Sequence, residues 1–239
     1  MSLVNPGADG GRTVLRRSIL GEQVYEALKA QIMNHVIRPG ARISIDGLAR
    51  DLGVSPTPVR EALAVLESEE LATKEPLRGY RATPLLTREQ FDDLYRFRLL
   101  LEPWAAAEAA AHAGSSGIAA LRSELASCSS EPHGEDYEAY KALTAHDTRF
   151  HTLVSELSGS NQAHRAFVRT HCHLHIFRLH YERSIGVAAI AEHHRVVEAI
   201  ATGDPAAAET AMTAHLQAAL ERLRPLYDRP TERPSPDEP

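Results

Sequence analysis

The sequence predicts a mainly α-helical protein, with an N-terminal winged helix-turn-helix followed by an all-α helical bundle. Three observations lead to this fold class. Proline and glycine divide the first third of the chain into short pieces. Two short segments in that third carry apolar residues at helical spacing on either side of Gly53. From Thr87 onward the chain is rich in alanine and leucine, again at helical spacing.

The composition limits the architecture and the classes of function. A length of 239 residues suits two domains, and a hydrophobic content of 43% is enough for a packed core. The sequence has no apolar run of the roughly 18 residues that a membrane span needs. Residues 1–11 lack the apolar stretch of a signal peptide. Only two cysteines are present, which argues against a disulfide framework and fits a reducing cytoplasm.

Charge is distributed unevenly along the chain. The net charge is −6, but residues 12–84 contain 11 Lys and Arg against 9 Asp and Glu. The remaining residues contain 15 against 23 and are therefore strongly acidic. Such asymmetry is typical of a nucleic-acid-binding head attached to an acidic body.

We predict four segments: a flexible tail over 1–17, a head over 18–84, an all-helical body over 87–226 and a disordered tail over 227–239. Thr87 with Gln90 forms a capping-box pattern, and Asp204 before Pro205 forms another helix start. Helices are expected at about 19–35, 45–52, 56–70, 87–112, 117–127, 135–158, 162–183, 187–202 and 205–224.

The head contains the pattern of two helices that cross over a tight turn. Gly53 supplies the turn, and Ser55 precedes the second helix, where its side chain can cap the first turn. The start of that helix presents free N–H groups to a phosphate. Thr57 and Arg60 lie on its early, outward face, where a recognition helix reaches base edges, and Arg60 can form a bidentate contact with guanine.

A β-hairpin, the wing, is expected after this helix. Extended runs at 72–75 and 81–83 flank a turn that contains Pro76 and Gly79. Gly79 allows the backbone to approach the minor groove, while Lys74, Arg78 and Arg81 supply phosphate contacts. The alternative is a small helical subdomain with a surface hairpin and an incidental Arg60.

Four polar residues fall on the apolar faces of body helices. Asp147 and His151 are four residues apart and share a face. His193 and His215 lie at matched distances from a predicted turn at residues 203–204, so an antiparallel hairpin brings their imidazoles to one height. A divalent metal would satisfy all four together, with zinc the first choice and nickel or a similar ion possible. The alternative is separate buried histidines, each hydrogen-bonded to backbone. His194 is expected to be solvated.

The head residues closely resemble the GntR family of bacterial regulators. The resemblance rests first on the run Leu52-Gly-Val-Ser-Pro-Thr-Pro-Val-Arg-Glu-Ala-Leu63. It also rests on residues 39–40, 48–49, 66–67, Leu71 and residues 78–80. It implies that Ser55, Thr57, Arg60 and Gly79 contact operator DNA. Pro56 and Asp46 stand where many or some members carry a DNA-contacting Arg, so the operator sequence does not carry over.

The body resembles the FCD subfamily of these regulators, whose name denotes a FadR-type C-terminal domain. Asp147-x-x-Phe150-His151, Glu192-His193 and the segment from Gly203-Asp204 through His215-Leu216 match the subfamily's metal-binding pattern. The resemblance implies an effector-responsive regulator, most often a repressor, in which a small organic acid binds near the metal. Palindromic operators imply a homodimer.

Further candidates for effector binding are Arg98, His171, His175 and Arg178. Arg98 either pairs with Glu102 on its own helix or binds a carboxylate. His171, His175 and Arg178 either line the same cavity or form a polar helix face or dimer surface. We predict no enzyme, because no general base stands beside the metal ligands and the His-Glu-x-x-His signature is absent. Two other functions remain open: a metalloenzyme tethered by its head, and a constitutive DNA binder with a structural metal.

Overall fold

The computed structural model describes residues 9–128, 136–179 and 183–227. The chain divides into two compact units between Leu85 and Leu86, next to the predicted boundary. Within the described residues, no helix combines the length and the apolarity needed to cross a membrane.

The first unit contains three helices and a small antiparallel sheet. Its elements are α1 (Asp9–Met33), β1 (Arg42–Ile43), α2 (Ile45–Asp51), α3 (Pro56–Ser68), β2 (Ala72–Glu75) and β3 (Gly79–Ala82). The strands lie in the order β1-β3-β2, and Arg81 pairs with both Arg42 and Thr73. Apolar side chains of α1 and α3, among them Leu28, Leu63 and Leu66, are completely buried. This is the predicted winged helix-turn-helix.

The second unit consists of helices. They are α4 (Arg88–His112), α5 (Gly114–Ala126), α6 (Tyr137–Leu157), α7 (Asn161–Val168), α8 (Cys172–Phe177), α9 (Arg183–Ala201) and α10 (Pro205–Leu223), followed by a 3-10 turn (Arg224–Tyr227). α4 packs against α6, α9 and α10, while α5 covers α6 and α9. Their shared core includes Leu121, Phe150, Val196 and Met212.

The predicted caps form, and they position the hairpin of α9 and α10. Thr87 and Gln90 make a reciprocal capping box at the start of α4. Asp204 accepts hydrogen bonds from two backbone N–H groups at the start of α10. Gly203 has a φ of 70°, a left-handed conformation that ends α9 without the steric cost of a side chain. The two helices can therefore turn back on each other sharply.

Three predictions of local structure differ from the structure. α1 begins at Asp9 rather than at 19, so residues 9–17 of the predicted flexible tail are helical. The single helix predicted over 162–183 is broken between α7 and α8, where His171 adopts a left-handed φ of 43°. Strand β1 was not predicted. Residues 1–8 and 228–239, which cover most of the predicted tails, lie outside the described residues.

Candidate metal centre

The structure brings the four predicted metal-ligating side chains together inside the second unit. Asp147 and His151 lie on α6, His193 on α9 and His215 on α10. The Nε2 atoms of His151 and His215 are 3.2 Å apart. The Nε2 of His193 lies 3.3 Å from Asp147 Oδ1. The three imidazoles are almost completely buried, at 4% exposure or less.

These donor positions fit a transition-metal ion. Bonds of about 2.0–2.1 Å in a tetrahedral site place neighbouring donor atoms about 3.3 Å apart. The observed separations of 3.2 and 3.3 Å match that spacing, whereas His151 Nε2 lies 3.9 Å from Asp147 Oδ1. The buried Nε2 of His193 lies 3.3 Å from Asp147 Oδ1 without a hydrogen bond of good geometry. An ion at the centre of the cluster would satisfy both atoms.

The Nδ1 atoms of the three histidines point outward, each to a supporting group. The His151 Nδ1 contacts Glu102 Oε2 at short range, and the His215 Nδ1 lies 2.9 Å from Glu192 Oε2. The His193 Nδ1 lies 3.1 Å from the Nε2 of His146. If each Nδ1 carries the proton, each Nε2 lone pair faces the centre of the cluster, which is the orientation that metal binding requires.

An arginine-glutamate pair stands behind each of these three histidines. Arg98 Nε donates to Glu102 Oε1 at 2.6 Å, behind His151. Arg222 donates to both oxygens of Glu192 at 2.6 and 2.8 Å, behind His215. Behind His193 the series of contacts includes one additional imidazole, that of His146. His146 Nδ1 lies 3.0 Å from Glu124 Oε1, and Glu124 accepts two hydrogen bonds from Arg149. The carboxylates therefore stay charged and hold the rings in a fixed orientation.

The electrostatics of the cluster favour the protonation states that bind metal. Burial lowers the pKa of His193 to about 4, so the imidazole is neutral near pH 7. Burial opposes the charged form of Asp147, but the neighbouring imidazoles, His173 first among them, outweigh it and hold the pKa of that carboxyl well below its usual range. A neutral imidazole and an ionised carboxylate are the ligand forms that coordinate a cation.

A fourth histidine, His173 on α8, also reaches the cluster and was missed by sequence reasoning. Its Nε2 lies 3.3 Å from Asp147 Oδ2 and 3.4 Å from Arg98 Nη2. The predicted cavity residues of this segment were His171, His175 and Arg178, which share a face only if the helix is continuous. The helix instead starts at Cys172, after the left-handed His171, and this break turns the face with His173 towards Asp147.

A cavity adjoins the cluster and is apolar on most of its wall. Its polar lining comes from Arg98, Asp147, His215 and Arg222. The other lining residues are Tyr95, Leu143, Ile176, Phe177, Gly186, Ala189, Ala219 and Leu223. Arg98 pairs with Glu102 and also lines the cavity, and its binding of a carboxylate stays a prediction. The lining does not include His171, His175 or Arg178.

The predicted DNA-contacting residues of the first unit are mostly exposed. Ser55 is the N-cap residue of α3, yet its side chain makes no capping hydrogen bond, and Thr57 and Arg60 are exposed on the same helix. Lys74 and Arg78 with Gly79, whose φ is 86°, are exposed on the hairpin. Arg81 differs. Its guanidinium donates to Glu75 Oε1 at 3.0 Å and to the carbonyl of Gly40, so it braces the sheet.

Comparison with known proteins identifies both units. Residues 20–81 match the bacterial regulatory proteins of the gntR family, and residues 93–218 match the FCD domain. The uncharacterized HTH-type transcriptional regulator YdhC of Bacillus subtilis is 28% identical over 84% of this chain and 90% of its own length. McbR of Escherichia coli, also an HTH-type transcriptional regulator, is 36% identical over 43% of this chain and 46% of its own.

Solved structures show the same fold. The structure of Escherichia coli McbR/YncC has a TM-score of 0.62 at 23% identity and covers 87% of this chain and 98% of its own. A GntR transcriptional regulator of Rhodococcus sp. RHA1 has a TM-score of 0.59 at 21% identity, over 85% and 96% of the two chains. The fold class and the sequence resemblance are confirmed: the chain is a transcriptional regulator of the GntR family with a C-terminal FCD domain.

Proposed function

We propose that this regulator is a repressor that binds operator DNA as a homodimer, and that a small carboxylate effector bound beside a divalent metal controls it. The observation that carries the proposal is the group of three buried imidazoles, His151, His193 and His215, with the partly exposed Asp147 3.3 Å from His193. Its inward-facing Nε2 atoms lie beside a cavity with two arginines.

The metal would be held by the Asp147 carboxylate and the Nε2 atoms of His151, His193 and His215. One oxygen and three imidazole nitrogens suit zinc first, and nickel or a similar ion next. Such an ion supplies a Lewis-acidic centre that attracts a carboxylate oxygen. Burial lowers the pKa of the three imidazoles and keeps them neutral, while Glu102, Glu192 and the His146–Glu124 pair align the rings.

The cavity supports a small organic acid as the effector. Arg98 and Arg222 present guanidinium groups at its wall, and guanidinium binds carboxylate well because the two are geometrically matched. The apolar remainder suits a short hydrocarbon portion. Binding there changes DNA affinity only if the effector prefers one arrangement of the regulator over another.

DNA binding is assigned to the exposed face of the first unit. Ser55 and the N–H groups at the start of α3 suit a phosphate, and Arg60 suits a base edge. Lys74 and Arg78 add charge on the hairpin. The gluconate operon transcriptional repressor of Bacillus subtilis, 33% identical over 37% of this chain, supports repression as the mode of action. Cys128 and Cys172 are free, which supports a cytoplasmic location.

The test is operator binding by fluorescence anisotropy, on a fragment that the wild-type protein selects from random DNA. Arg60→Ala should weaken binding about 10- to 100-fold, as the loss of a bidentate base contact does. Arg165→Ala is the control, because it removes an exposed arginine from the second unit. Unchanged affinity in Arg60→Ala would overturn the α3 assignment.

The effector part of the proposal is tested on the same DNA. Titration of the metal-loaded protein with a panel of small carboxylic acids should release it from the operator. Unchanged operator affinity across the panel would favour a constitutive DNA binder with a structural metal instead.

A further inference from the structure

The metal cluster has two overlapping sets of candidate ligands. One set is His151, His193 and His215, and the other is Asp147, His151 and His173, with the donor atoms of each set within 4.8 Å of one another. Both sets contain His151. His173 is 3% exposed, as deeply buried as the histidines of the first set.

The two sets cannot hold two separate ions. The Nδ1 of His151 is engaged by Glu102, so only its Nε2 is left to face a metal. A neutral imidazole offers one lone pair at that atom, and one lone pair binds one ion. Asp147 connects the two sets in the same way, with Oδ1 near His193 and Oδ2 near His173, each at 3.3 Å.

We propose that His173 is a fifth protein ligand of the same ion, through its Nε2. This inference rests on the proposed metal centre and extends it to a donor on α8. Four imidazoles and one carboxylate would then hold the ion. Such a nitrogen-rich set favours zinc, nickel, cobalt and copper over magnesium, calcium and manganese.

His173 is supported differently from the other three histidines. Its Nδ1 lies 3.5 Å from the Sγ of the neighbouring Cys172, which is a weak hydrogen-bonding group. No arginine-glutamate pair stands behind it among the contacts of the described residues. Its contribution to metal affinity is therefore expected to be smaller than that of the anchored histidines.

The decisive measurement is zinc X-ray absorption on the full-length, zinc-loaded protein, compared with His173→Gln and His173→Ala. Wild type should show four imidazoles, and both variants three. Chelator competition should show metal affinity lowered on the order of 10-fold in both. His194→Ala, which removes the exposed neighbour of His193, should keep four imidazoles and wild-type affinity.

The outcomes separate this inference from the metal centre itself. Three imidazoles in wild-type protein, with unchanged affinity in His173→Gln, would overturn the role of His173 and leave the metal centre intact. Wild-type protein that binds no zinc would overturn both. The imidazole count of the wild type decides the matter even if a His173 variant fails to fold.

Discussion

Substitution of Glu102 by Gln tests the buried charge network behind the metal cluster. Glu102 is 2% exposed and pairs with Arg98, itself 2% exposed, at 2.6 Å. Burial opposes the charged form of Glu102. The Arg98 guanidinium and the His151 imidazole outweigh that effect and hold the pKa of its carboxyl well below the usual range. Glu102→Gln keeps the volume but leaves the Arg98 charge uncompensated, which costs about 3–5 kcal/mol of unfolding free energy.

The assay is thermal and chemical unfolding of metal-free protein. For a chain of this size that cost corresponds to a drop in Tm of roughly 6–20 °C. Glu108→Gln on the same helix is the control, because that residue is 37% exposed and its partner His112 is on the surface. Removing both charges, with Arg98→Met added to Glu102→Gln, should restore part of the lost stability. A loss below about 1 kcal/mol in Glu102→Gln would refute the reasoning.

Three further predictions concern stability, each measured by denaturant unfolding. Burial, and secondarily Arg178, lower the pKa of His175 to about 4, so the unfolded chain binds this proton more tightly. The free energy of unfolding therefore decreases as the pH falls from about 6.5 towards 4, by about 2 kcal/mol at pH 5. His175→Gln should reduce this pH dependence. A pH profile of stability unchanged in His175→Gln would contradict the prediction. A Cβ on Gly117 would lie 2.8 Å from Leu157 Cδ2 and 2.9 Å from Ala113 Cβ, so Gly117→Ala should cost about 1–3 kcal/mol, against no change for exposed Ser116→Ala. Thr87→Ala removes the capping box and should cost about 1 kcal/mol; an effect on the scale of Ser116→Ala would show the cap to be unimportant.

The parts of the site that the sequence predicted are those fixed by local geometry. Asp147 and His151 are one helical turn apart, and the hairpin at Gly203 sets the register of His193 against His215. Both relations follow from helix periodicity and turn chemistry alone. The structure places these four side chains near one another, with the rings of His193 and His215 4.8 Å apart between centroids, and their binding of a metal stays a prediction.

The parts that were missed depend on tertiary packing. His173 reaches the cluster because the chain breaks at His171, and a left-handed histidine has no clear sequence signal. His146 looks like an ordinary neighbour of Asp147 until Glu124 of α5 is placed against it. Strand β1 has two residues, and only its pairing with β3 makes it a strand.

The most direct test of the metal-dependent sensor is the metal content of the purified protein. We predict about one transition-metal ion per chain in the wild-type protein, because the cluster is large enough to hold one ion. Asp147→Ala and His193→Ala should each lose the ion, while His194→Ala should retain it. Full retention of metal in both Asp147→Ala and His193→Ala would contradict the site.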